Sequence, residues 1–119
     1  MSVCAADIPQ SQAVYDEKYV LLVRRDAASN VVAERVVSRP LAFHADIVDE
    51  VRDDFDEADG WQVAGGGIIV VDPLLRRVRT FGKSGGFGAP DRAAVERCLR
   101  AAFGSEWQLD VKVTNHVRG

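Results

Sequence analysis

Two stretches of this chain carry residue types able to do chemistry. The first is Phe43-His44-Ala45-Asp46, where a histidine opens an amphipathic segment. A histidine in the first turn of a helix lies in the positive end of the helix dipole. That field disfavours imidazolium and leaves the ring able to accept a proton near neutral pH. The second stretch is the loop Phe81-Gly82-Lys83-Ser84-Gly85-Gly86-Phe87-Gly88, between a strand and a second helix. Glycines and a serine running into a helix offer a concave set of backbone N–H groups suited to an anion. A base beside an anion cradle is what phosphoryl chemistry needs. Lys18, just before the first apolar run, is a further candidate, as a mobile point charge on a phosphoryl group.

Each of these residues also has a purely structural reading. His44 could be a capping or surface histidine, Lys18 a solvated strand-end lysine, and the loop a turn that needs positive φ. Spacing alone does not choose between them. It does remove several rivals. The Gly-Lys-Ser of the loop is not a P-loop, because Arg77 stands where the first glycine belongs. The dinucleotide pattern begun at Gly86-Phe87-Gly88 fails at Asp91. A cysteine-based phosphatase requires a downstream arginine, and Cys98 meets Gly104 there while Cys4 meets Gln10. Asp53-Asp54-Phe55-Asp56 lacks the glycine and bidentate glutamate of an EF-hand and reads as a solvated helix face. His44 and His116 are too few for a binuclear metal site, so neither metal nor other cofactor is expected; His116 is given no role.

The bulk properties are those of one soluble domain. At 119 residues the chain is long enough for a core without metal or disulfide support. A net charge of −3 argues against a general nucleic-acid binder. Two cysteines make no disulfide framework, and reduced thiols in a cytoplasmic protein are expected. There is no secretory signal pattern and no apolar run of membrane-spanning length, so no membrane contact is expected.

The elements that must position these residues follow from periodicity. Residues 1–16 show no useful pattern around Pro9 and read as a flexible leader; residues 17–119 read as a single domain. Tyr19–Val23 and Val31–Val37 predict a hairpin about a turn at Ser29-Asn30. Ile47, Val51 and Phe55 recur every fourth residue and predict a helix from His44 to Asp59, stopped by Gly60. Trp61–Val71 is β-prone, with Gly65-Gly66-Gly67 marking a bulge or a close backbone approach. Arg77–Phe81 alternates, with Val78 and Thr80 opposite Arg77, Arg79 and Phe81. Pro90 predicts the first helical position of a second helix, whose stripe is Val95, Cys98, Leu99 and Ala102 and whose end is Gly104. Trp107 to Val113 alternates as a last, half-buried strand. The predicted class is α+β, a mixed or antiparallel sheet of five or six strands with two helices packed against it.

Four features in register resemble the Janus/Ocnus family, the small protein-phosphohistidine phosphatases. They are Lys18-Tyr19-Val20-Leu21, His44-Ala45-Asp46-Ile47 after an aromatic, the Gly65-Gly66-Gly67 break, and Phe81-Gly82-x-Ser84-x-x-Phe87-Gly88. The resemblance runs over about residues 17–115. It implies metal-independent hydrolysis of the P–N bond of phosphohistidine in proteins, with His44 as the catalytic base. It also implies phosphate held by Lys18 and by the loop through Ser84, Gly85 and Gly86. An arginine upstream of the histidine belongs to the family's pocket, and Arg39 is its candidate here, with Arg35 as the alternative. The implied partners are histidine-phosphorylated proteins, and a monomer is expected. A non-catalytic module that binds phosphorylated or acidic segments would use the same residues and stays open at this point.

Overall fold

A computed structural model describes residues 3–113. In chain order the elements are β1 (Val3–Asp7), β2 (Tyr15–Arg25), β3 (Val31–Ser38), α1 (His44–Glu50), a 3-10 turn at Glu57–Asp59, β4 (Trp61–Asp72), β5 (Arg77–Phe81), α2 (Arg92–Phe103) and β6 (Gln108–Val111). The strands form one six-stranded sheet in the order β1-β3-β2-β4-β5-β6. The two outer pairs, β1/β3 and β5/β6, are parallel and the inner pairs antiparallel. The fold is therefore α+β around a mixed sheet. His116 lies outside the described residues.

The two helices cover opposite faces of this sheet. On one face Ala94, Val95, Cys98 and Leu99 of α2 pack on Tyr19, Leu21, Val23, Val36, Ile69 and Val78. On the other, Ile47 and Val51 pack on Val20, Leu22 and Val37. Successive residues of a strand point to opposite faces, so a central strand covered on both sides needs an unbroken apolar run. Tyr19–Val23 is that run. Glu34, 4% exposed, receives Nε and Nη2 of Arg97 at 3.0 and 2.9 Å, which anchors α2 to β3.

Three expectations are corrected. The segment read as a flexible leader carries β1, paired with β3 from Val3↔Ala33 to Asp7↔Val37. Small residues sufficed because this edge strand gains its stability from hydrogen bonds to a distant strand. The first helix ends at Glu50 rather than Asp59. Its last turn has no basic residue and runs into Asp53, Asp54 and Asp56, negative charge that opposes the C-terminal end of the dipole. Pro90 lies before the N-cap of α2, not at its first turn. Asp91 is the cap, accepting from the Ala93 amide at 3.3 Å.

Candidate active site

His44 is the first residue of α1, and the helix entry is fixed on both sides. The Phe43 amide donates to the Asp46 carboxylate at 3.3 Å, and the Asp46 amide donates to the Phe43 carbonyl at 3.1 Å. One turn on, Ile47 is fully buried on the sheet, a contact worth about 1.5–3 kcal/mol for a side chain of that size. The ring of His44 is thereby pressed onto β4 and is 1% exposed. Its Nε2 lies 3.0 Å from the Gly67 carbonyl oxygen. A carbonyl only accepts, so Nε2 carries the proton and a neutral ring has its lone pair on Nδ1. The dipole argument made for a long helix here applies to a helix of 7 residues, and this carbonyl is the specific contact that orients the ring.

The glycine break makes that packing possible. Pairing between β2 and β4 shifts from Val20↔Gly66 to Leu22↔Val63, a bulge with Gly65 at φ +113°. At Gly66 an added Cβ would lie 2.7 Å from His44 Cδ2 and 2.7 Å from the Tyr19 carbonyl oxygen. Only a residue without a side chain lets the imidazole come this close to the strand here.

Gly66 also anchors the glycine loop. Its amide donates to the Gly88 carbonyl at 3.1 Å, and its carbonyl accepts from the Ser84 amide at 2.9 Å. Ser84 and Gly88 close the neck of the loop through an isolated bridge. The histidine ring and both stems of the loop therefore meet on one residue. Ser84 is buried, and its Oγ accepts from the Phe87 amide at 3.1 Å, which leaves the hydroxyl proton to donate. Its own amide is committed to the neck. The donors left over are the amides of the exposed Gly85 and Gly86, which have no acceptor among the described residues. Beyond Gly86 there is open space, with no atom within 4 Å of an added Cβ.

Lys18 is brought to the same place by register. It pairs with Ile68, which pairs with Phe81. It stands two residues from Val20, the partner of Gly66, and so on the α1 side of the sheet, about 7 Å along the strand from the histidine's resting place. Its ammonium has no side-chain partner among the described residues.

The family model described as Janus/Ocnus family (Ocnus) matches residues 5–106. The chain belongs to the Janus/Ocnus family. The match covers every element except the very start of β1 and the end of the chain beginning at β6. Among curated proteins, nothing matches the chain.

Of the residues expected in this Janus/Ocnus site, the structure brings together His44, Ser84, Gly85, Gly86 and Lys18; Arg39 follows Ser38, whose hydroxyl donates to the Lys18 carbonyl at 2.6 Å, but its guanidinium is held by two carboxylates. Arg39 Nη2 bonds the Asp7 carboxylate at 2.9 Å and its Nε bonds Glu50 at 3.2 Å. The hydrogen bond to Asp7 holds its guanidinium above the ordinary arginine range. Glu50 is the last residue of α1, about 9 Å along the helix from His44. The alternative, Arg35, lies over the Trp61 ring at 5.7 Å and donates to the carbonyls of Val3 and Glu34. Both arginines staple the β1 side of the sheet. The cysteines are equally committed: burial pushes the Cys98 thiol up to about 12, and Cys4 Sγ donates to Glu34 at 3.3 Å. No group of three or more His, Cys, Asp and Glu among the described residues has the arrangement of a metal site. Sequence reasoning missed the Gly67 carbonyl, a main-chain group that leaves no residue-type signal. It also passed over the role of Gly66 as common anchor, for which the glycine run was the only hint.

Proposed function

We propose that this chain is a protein-phosphohistidine phosphatase that hydrolyses the P–N bond without a metal ion. The supporting observation is that the oriented ring of His44 and the neck of the Ser84–Gly88 loop share Gly66, with unpaired Lys18 beside them. Phosphoryl transfer passes through a loose transition state in which positioning and charge stabilisation do most of the work. The Gly85 and Gly86 amides, the Ser84 hydroxyl and the Lys18 ammonium are the donors for the phosphoryl oxygens. His44 takes a proton at Nδ1 from a water in line with the scissile bond. The new P–O bond forms as the P–N bond breaks, and the proton His44 took from the water passes to the substrate's imidazole nitrogen as it leaves. Nε2–H stays on the Gly67 carbonyl, which steadies the imidazolium formed in between.

The near-complete burial of the His44 ring favours a second reading. A ring 1% exposed could serve only to shape the loop, and the chain would then bind phosphorylated segments without turnover. Direct measurement separates the two. Phosphate release from a phosphohistidine peptide in excess chelator supports the phosphatase, whereas saturable binding of that peptide with no release supports the module. A covalent route through His44 is a variant of the first reading and would leave acid-labile, base-stable phosphate on the protein during turnover.

A further inference from the structure

Of the 15 lysines and arginines, most described ones are paired with carboxylates or carbonyls. Lys18, Arg77, Arg79 and Lys83 are the exceptions, whose side chains hold no hydrogen-bond or ion-pair partner among the described residues. Lys18, Arg77 and Arg79 lie on the α1-side face of β2 and β5, and Lys83 is in the loop that follows β5. Register fixes their arrangement. Lys18, Ile68 and Phe81 form one row across the α1-side face, Asp16, Val70 and Arg79 the next, and Asp72 and Arg77 the one after. On this face α1 packs on Val20, Leu22 and Val37, and its His44 lies on Gly66; the apolar cluster beneath it includes none of the residues of these rows.

Between Arg77 and Arg79 lies a cavity of about 250 Å³, lined also by Val14, Val70, Asp72 and Leu75. The Nε of Arg77, one of these lining residues, is buried with no acceptor among the described residues. Of the acids nearby, Asp16 is exposed in the Arg79 row, and two others have partners. Asp72 caps the turn, accepting from the amides of Leu74 and Leu75 at 3.1 Å each, and Asp110 lies 3.8 Å from Lys112. Val14, Leu74 and Leu75 are 57%, 90% and 66% exposed and give the cations an apolar rim. A half-buried arginine and an exposed one beside apolar side chains are the composition of a recognition surface.

The geometry points to this strip as a docking surface for an acidic segment of the phosphohistidine-bearing protein. Arg77 and Arg79 take a carboxylate about four residues from the phosphorylated side chain. The spacing follows from Gly66, which seats His44, and Val70, which floors the cavity. They are four positions apart on one extended strand, or about 14 Å, and an extended substrate segment spans that length with the same number of residues. The inference rests on the phosphatase reading for the substrate's identity, but it concerns a surface outside the catalytic residues.

The test uses peptide binding and small-substrate turnover side by side. Two peptides carry a non-hydrolysable phosphonate analogue of phosphohistidine, with either Glu or Gln four residues away on both sides. The wild type should bind the Glu peptide about three- to tenfold more tightly at low salt, the scale of one or two partly exposed ion pairs. Arg79→Gln should reduce that preference and Arg77→Gln/Arg79→Gln abolish it, while hydrolysis of free phosphoramidate stays at the wild-type rate. Arg79 is exposed, so the single variant keeps its fold even if the double variant does not. Equal binding of both peptides by the wild type overturns the inference, as does a preference that survives in Arg79→Gln and in a folded double variant. Absence of phosphoramidate hydrolysis by the wild type overturns the enzymatic reading instead, and the peptide pair still decides the docking surface.

Discussion

Replacing Gly66 with alanine adds one methyl group at the point where ring, strand and loop meet. That carbon would lie 2.7 Å from His44 Cδ2 and 2.7 Å from the Tyr19 carbonyl oxygen. Carbon atoms pack at about 3.5–4.0 Å, so the imidazole must retreat by about 1 Å. The clash with the Tyr19 carbonyl falls on the backbone of the β2/β4 ladder, so the strands must also shift locally, at a cost in stability. The retreat also stretches the 3.0 Å bond from Nε2 to Gly67 that orients the ring. Misplacing a catalytic group by about 1 Å costs about a hundredfold in rate, and overpacking of this kind destabilises by about 1–3 kcal/mol. The expected result is therefore a protein that folds, with a lowered urea midpoint, and releases phosphate from phosphoramidate about 10²-fold more slowly at saturating substrate. Gly86→Ala, whose added carbon meets nothing within 4 Å, should lose far less. A folded Gly66→Ala protein with wild-type kcat would refute the assignment of His44 to its resting place on Gly66.

Other residues give independent checks. Lys18→Ala removes a charge-assisted contact worth about 1.5–3 kcal/mol and should raise KM and the inhibition constant of inorganic phosphate together, by about ten- to a hundredfold. Unchanged phosphate inhibition would remove Lys18 from the site. Arg39→Ala should leave phosphate inhibition unaltered and lower stability by no more than about 1 kcal/mol, because its guanidinium is engaged by two exposed carboxylates, Asp7 at the end of β1 and Glu50 at the end of α1. Weakened phosphate binding in that variant would restore Arg39 to the pocket. Burial raises the Cys98 thiol to about 12 in the folded chain. The unfolded chain ionises first, near the ordinary thiol value of about 8.5, and binds fewer protons above it. Cys98 thus contributes stability that is intact below that value and declines as pH rises toward the folded one, by up to about 1.4 kcal/mol per pH unit. Urea midpoints measured upward from pH ~8.5 should fall less steeply for Cys98→Ala than for the wild type, and parallel slopes would contradict this.

The parts of the fold that were legible in sequence are those whose signals are local. The alternation from Arg77 to Phe81 reappears as β5 with the same limits, and Gly104 closes α2 as expected. The glycine run marks a bulge because only glycine relieves both the positive φ at Gly65 and the crowding at Gly66. What escaped is non-local. β1 exists because β3 offers it an edge some thirty residues away, and Val3-Cys4-Ala5-Ala6-Asp7 carries no pattern of its own. The length of α1 was overread because Phe55 continues the apolar spacing, yet Phe55 packs edge-on against Trp61, at 4.8 Å between centroids, from a turn rather than from the helix. At the site, residue type identified His44, Lys18 and the loop, but spacing could not tell which arginine was free. Arg39 sits near the histidine in sequence and is tied to Asp7. Arg77 and Arg79 were visible in the alternation as residues opposite the core, and only the sheet register brings their row beside Lys18.

The central claim is that an imidazole held against Gly66 acts on a phosphoryl group cradled by the Gly85 and Gly86 amides. Its most direct test is phosphate release from a phosphohistidine peptide, in excess chelator, by the wild type and by His44→Ala. Loss of a general base costs about 10²–10⁴ in rate, so release by the wild type and a drop of that size in kcat are predicted. No release by the wild type, or equal rates from the two proteins, would contradict it.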